Sequence, residues 1–213
     1  MTKKKTTKQP DNKRAYVVGL FGATDTGKST RAQELLSQEK PGRVVVWDFK
    51  REYRNADRHF SRASDLYDYV KAKGKRGRFF VAFDPCIDSD DVRKMQFDAV
   101  NKIIQAHGNI FYIVEELKFV TKPTWSPGSW SMITMTGREQ NIKIIGTSQR
   151  PASVDKDFFS NCTMIHARRL NYEDDITTMA KALRIHKRDM AALTGHDYYE
   201  RNNRTGELTE KKY

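Results

Sequence analysis

The stretch Gly22-Ala23-Thr24-Asp25-Thr26-Gly27-Lys28-Ser29 has the spacing G-x-x-x-x-G-K-S. Each residue type in it can act on a triphosphate. Glycines let the backbone curl until its N–H groups face an anion. A lysine placed as Lys28 reaches the β- and γ-phosphates, and a hydroxyl placed as Ser29 ligates Mg²⁺. A helix that begins at this point adds its positive dipole end. The expected phosphate-binding residues are Gly22, Ala23, Thr24, Asp25, Thr26, Gly27, Lys28, Ser29 and Thr30.

A second group of chemically capable residues lies about 90 positions on. Asn109-Ile110-Phe111-Tyr112-Ile113-Val114 reads as a buried strand, and Glu115-Glu116 ends it. After such a strand in a phosphate-loop ATPase, the first acid serves the Mg²⁺ and the second polarises the attacking water. Glu115 is therefore the metal candidate, with Ser29, and Glu116 the general base. The first acid is more often Asp, and the longer Glu115 side chain can act through a water. Asn141-Ile142-Lys143-Ile144-Ile145-Gly146-Thr147-Ser148-Gln149 is a further strand with a polar end. Placed between the loop strand and the acid strand, its Gln149 can sense the γ-phosphate or orient the water.

These residues need a scaffold, and the pattern around them supplies one. Ala15 to Phe21 is a short apolar run before the loop. Ser29-Thr30-Arg31-Ala32-Gln33-Glu34-Leu35-Leu36 after it has helix formers and helical apolar spacing. Further strands are expected at 43–48 and 78–83, and helices at 61–73 and 90–106, the last stopped by Gly108. Strands alternating with helices imply a mainly parallel sheet covered on both faces, an α/β fold. The chain's 213 residues suit one domain. We place it at 15–200, after a basic, disordered arm at 1–14 and before a polar tail at 201–213.

The 39 basic and 27 acidic residues give a net charge of +12, which points to a polyanionic partner such as nucleic acid. No run is long and apolar enough for a membrane span, and no secretory signal is visible. Cys86 and Cys162 are far apart and lack metal-ligand spacing, so they read as thiols.

Taken together, four segments resemble the FtsK–HerA superfamily of DNA-pumping ATPases. They are the phosphate loop, Asp48-Phe49-Lys50-Arg51-Glu52-Tyr53 after the second strand, Glu115-Glu116, and Gly146-Thr147-Ser148-Gln149-Arg150-Pro151. Size and solubility make the chain more similar to the genome-packaging ATPases of tailless, membrane-containing viruses of the tectivirus type. The resemblance implies a RecA-like phosphate-loop NTPase fold, ATP and Mg²⁺ as cofactors and double-stranded DNA as the moved polymer. It implies a ring of identical subunits, usually a hexamer, and a capsid vertex protein as a further partner. The setting would be the host cytoplasm or a packaging vertex of the virion. It also implies an arginine finger lent to the neighbouring site. Arg138 in Thr136-Gly137-Arg138-Glu139-Gln140 matches that position, with Arg150 second and Arg168 third.

The segment Lys118 to Trp130 holds two Trp and two Pro. It is either an exposed loop whose Lys118 and Lys122 serve DNA phosphates, or a segment whose Trp125 and Trp130 pack inward. Three other functions fit the loop: a superfamily ATPase without a packaging role, a small-molecule kinase, and a nucleotide-gated scaffold with little turnover. A kinase would carry an arginine-rich lid and lack the Glu-Glu strand end.

Overall fold

The computed structural model describes residues 16–213; the expected basic arm at 1–14 lies outside them. Among the described residues, nine strands form one sheet in the order β3-β4-β2-β5-β6-β1-β7-β8-β9. In chain order they are β1 (Val17–Phe21), β2 (Arg43–Trp47), β3 (Arg58–Phe60), β4 (Phe79–Phe83), β5 (Phe111–Val114), β6 (Lys143–Ser148), β7 (Met164–Arg168), β8 (Tyr198–Asn202) and β9 (Leu208–Lys211). Strands β1 to β7 run parallel, and β8 and β9 are antiparallel additions at one edge. Seven α-helices accompany them: α1 (Lys28–Glu39), α2 (Ala63–Lys73), α3 (Asp90–His107), α4 (Gly128–Thr136), α5 (Lys156–Asn161), α6 (Glu173–Leu183) and α7 (Lys187–Ala191).

The central strands are buried on both faces, so their sequences are continuous apolar runs. On one face Val45, Trp47, Tyr112 and Val114 meet residues of six helices, α2 to α7. On the other, Val18, Leu20, Val44, Val46 and Ile113 meet Ala32 of α1 and Tyr53. Helices therefore cover both faces as expected, but unequally, and among the described residues α1 alone serves the second. Local chemistry sets several boundaries. The Ser89 hydroxyl accepts from the Val92 N–H at the start of α3, and the Asp155 carboxylate accepts from the Phe158 N–H at the start of α5. Gly108, with φ 55°, ends α3.

The structure adds β3, α4, α5, β7, α6, α7, β8 and β9 to the elements read from the sequence. Strand β3 has only three residues. Helix α4 mixes polar and apolar residues on both sides, with Ser129 and Thr134 buried beside Trp130 and Ile133 and with Met132 and Met135 exposed, so no helical period can be read. The polar segment 201–213 contains the end of β8 and all of β9, so the 15–200 boundary falls inside a strand.

The Trp pair divides between the two expectations. Trp130, on α4, is fully buried. Its ring centroid lies 5.4 Å from that of Phe97 and 5.5 Å from that of Phe158, and its indole N–H donates to Asp155 Oδ2 at 3.3 Å. Trp125 is exposed, in a tight turn where it exchanges backbone hydrogen bonds with Lys122.

Candidate functional site

The parallel register puts the ends of β1, β5 and β6 side by side, and each carries part of the candidate site. Strand β6 lies between β1 and β5, which is the placement expected for Gln149. From β1 the chain turns through Gly22 to Gly27 into α1. Gly27 has φ 92°, the left-handed region that glycine enters without strain. A Cβ there would meet the Arg168 guanidinium at 3.4 Å and His196 Nδ1 at 3.5 Å.

The loop is braced by its own hydrogen bonds. Thr26 Oγ1 donates to the Ala23 carbonyl at 2.8 Å. The Lys28 ammonium donates to the Gly22 and Ala23 carbonyls at 2.7 and 2.8 Å. Burial lowers the Lys28 pKa to about 8, partly offset by Glu116; a bound anion would favour the charged ammonium. Asp25 and Thr30 are exposed at the rim, and Ser29 is half-buried. These residues, with Thr24, Gly27, Lys50, Glu52 and His196, line a cavity of about 330 Å³.

The two acids at the end of β5 have different surroundings. Glu116 is buried with φ 52°, an uncommon conformation for a non-glycine residue, and its N–H donates to Thr147 Oγ1 at 3.3 Å. Gln149 Nε2 donates to Glu116 Oε1 at 2.8 Å, and Lys50 Nζ lies 3.2 Å from the same oxygen. Lys118 Nζ lies 3.9 Å from Oε2. On its other side Gln149 Oε1 accepts from Thr24 Oγ1 at 3.1 Å. Loop, polar strand end and acid are thus joined in one chain of hydrogen bonds.

Glu115 is also buried, and its Oε2 has no hydrogen-bond partner. Burial, then the Asp48 and Glu52 carboxylates, push its pKa up to about 8. Such a group is relieved by a cation. Ser29 Oγ lies 3.5 Å from Glu52 Oε2, so a hydroxyl and a carboxylate already converge. This hard oxygen set of Ser29, Glu52 and Glu115 fits Mg²⁺.

Two of these residues, Lys50 and Glu52, were not among the expected site residues. The signal was present: charged residues directly after a buried parallel strand lie at the same sheet end as the phosphate loop. The turn that carries them is held by Asp48, whose carboxylate accepts from the Glu52 and Tyr53 N–H groups, each at 2.9 Å. Phe49 stacks on Phe119 at 4.2 Å between centroids. For Lys50, burial works against the charge, but Glu116 and the neighbouring acids outweigh it and raise the pKa.

The three arginines separate clearly. Arg138 is exposed on a 3-10 turn (Gly137–Gln140) ahead of β6, at the opposite end of that strand from Gln149. It does not reach its own chain's site. Arg150 Nε donates to the buried Asp175 at 2.7 Å, and its guanidinium covers the Tyr172 ring at 4.1 Å. Arg168 is buried behind the loop, donating to His166 Nε2 at 3.0 Å and the His196 carbonyl at 2.7 Å. Lys118 faces Glu116, whereas Lys122 is exposed.

The strand order and the loop define the architecture of a RecA-like P-loop NTPase. The chain is similar to the genome packaging NTPase B204 from Sulfolobus turreted icosahedral virus 2, solved with ATP-gammaS. The TM-score is 0.73 at 13% identity, over 95% of this chain and 98% of that one. It is also similar to VirB4 of Thermoanaerobacter pseudethanolicus, with TM-score 0.66 at 12% identity over 96% of this chain and 91% of that one. Among curated proteins, Protein P9 of Pseudoalteromonas phage PM2 is 25% identical over 175 residues, 82% of this chain and 78% of that protein. No protein-family model matches. The resemblance read from the sequence is borne out at the level of fold. Among the described residues, no helix is long and apolar enough to cross a membrane.

Proposed function

We propose that this protein is an ATPase that drives double-stranded DNA through a ring of its own copies, as the motor subunit of viral genome packaging. The observation that carries the reading is the linked set of Thr24, Gln149 and Glu116 above Lys28. It joins a phosphate loop to a carboxylate that can polarise water. Similarity to a packaging NTPase supports the coupling to DNA, as does the charge of +12.

In this reading the loop N–H groups and Lys28 hold the triphosphate. Ser29, Glu52 and Glu115 would hold Mg²⁺, which when bound would supply charge neutralisation to the phosphates. Gln149 and Glu116 orient and deprotonate the attacking water. Arg138 belongs to the neighbour's site. That assignment fits its exposure and its distance from its own site, since Arg150 and Arg168 are committed to partners within the chain.

Steady-state hydrolysis with and without long double-stranded DNA tests the reading. Glu116→Gln should lower kcat about 10²- to 10⁴-fold, and Arg138→Ala about 10³-fold or more. Mixing the two variants should recover part of the rate, because one supplies the finger and the other the base. Hydrolysis indifferent to DNA and to Arg138 would overturn the motor and leave a phosphate-loop ATPase of another kind.

A further inference from the structure

Lys50 stands between two anions. Its side chain lines the cavity above the loop together with Lys28 and Ser29. Its ammonium is also 3.2 Å from Glu116 Oε1, with one third of the side chain open to solvent. Lys28 occupies its own ammonium with the Gly22 and Ala23 carbonyls. A γ-phosphate entering the cavity carries more charge than a carboxylate and draws the nearest mobile cation. Glu116 would not be left bare when Lys50 turns away, because Gln149 Nε2 at 2.8 Å and Lys118 Nζ at 3.9 Å remain beside it. The turn from Asp48 to Tyr53 is pinned by the Asp48 carboxylate, so the move belongs to the lysine side chain.

We infer that Lys50 is a γ-phosphate sensor: it neutralises Glu116 while the γ-subsite is empty and transfers to the γ-phosphate when a nucleoside triphosphate binds. Release of the base is thereby tied to the presence of the group it will help to cleave. The inference rests on the nucleotide site proposed above, and it predicts that Glu116 and the γ-phosphate compete for one cation.

Competition is read as a coupling between two substitutions. Binding of ATPγS and of ADP, each with Mg²⁺, is measured by calorimetry on the full chain for wild type, Glu116→Gln, Lys50→Met and the double variant. Glu116→Gln should tighten ATPγS binding about five- to tenfold, a common size for coupled sites, and leave ADP unchanged. In the Lys50→Met background that gain should fall below about twofold. Lys50→Arg should preserve it. Simple repulsion between Glu116 and the γ-phosphate predicts the reverse, since without the lysine's screening the gain would stay the same or grow. An undiminished gain in Lys50→Met therefore overturns the sensor. ADP binding in every variant reports an intact loop. Failure of wild type to bind ATPγS at all would instead remove the nucleotide site itself.

Discussion

Glu115→Gln should stabilise the metal-free protein increasingly as the pH rises. The Glu115 carboxyl is buried, its Oε2 has no partner, and its pKa is pushed up to about 8 from an ordinary 4.5. The folded state thus keeps a proton that the unfolded chain gives up above about 4.5. The cost of folding begins there, grows with pH, and levels off above about 8. At about 1.4 kcal/mol for each pH unit, the gap bounds it at about 5 kcal/mol. Relaxation inside proteins lowers such costs, since an effective dielectric near 20 describes buried charges better than 4. About 2 kcal/mol at pH 8 is the working figure. A neutral amide escapes this cost. Urea unfolding in EDTA at pH 5, 6.5 and 8 should therefore show wild type losing ground to the variant at each step. With Mg²⁺ and ATPγS at pH 7 the wild type should release a proton on binding, read by calorimetry in buffers of different ionisation enthalpy, and the variant none. A stability difference that does not change with pH would refute the argument that burial and the neighbouring acids hold Glu115 protonated.

Three other substitutions probe the scaffold. Trp130→Ala empties the aromatic cluster of Phe97, Tyr112 and Phe158 and strands the Asp155 carboxylate; denaturant unfolding should register a loss of about 3–5 kcal/mol. Gly146→Val would put a Cβ 2.6 Å from both Leu117 and Phe158 side chains, directly below the Glu115-Glu116 strand end, and should give little folded protein by near-UV circular dichroism. Glu200→Gln removes the charge that takes Arg31 at 2.9 Å and His166 at 2.9 Å. Although burial opposes it, those partners hold the Glu200 pKa below its usual value. The stabilisation is therefore present above about pH 4.5 and lost as the pH falls through the depressed pKa. A deficit of about 1.5–3 kcal/mol at pH 7 should shrink by pH 4 in urea titrations.

Periodicity and motif chemistry made the central strands and the phosphate loop readable. Val44-Val45-Val46 and Phe111 to Val114 could only be buried strands, and the loop needed the strand and helix that flank it. The place of Gln149 between the loop strand and the acid strand was legible from the sequence, whereas its hydrogen bond to Glu116 is visible only in the structure. Other features depend on pairings distant in sequence. Lys50 meets Glu116 across 66 positions, and no local pattern announces that contact. Helix α4 hid because its polar and apolar residues do not segregate by face and so show no period, and β8 with β9 hid because strands this open to solvent carry polar residues. The fate of the Trp pair was settled by the register of α4 against α3, which places Trp130 inward.

The two borders of the sheet also bear on how copies could associate. One is β3, three residues long, with Arg58 and His59 exposed; the other is β9, exposed along its whole length, with Glu210 and Lys211 in it. Short, charged borders discourage a neighbour from extending the sheet through its backbone. Any ring would then be held by contacts other than a shared β-ladder, and charged surface contacts of that kind loosen and re-form as charges and salt concentration change. A subunit attached this way can rotate against its neighbour without tearing a β-ladder, a mechanical freedom that a continuous sheet running around the assembly would forbid.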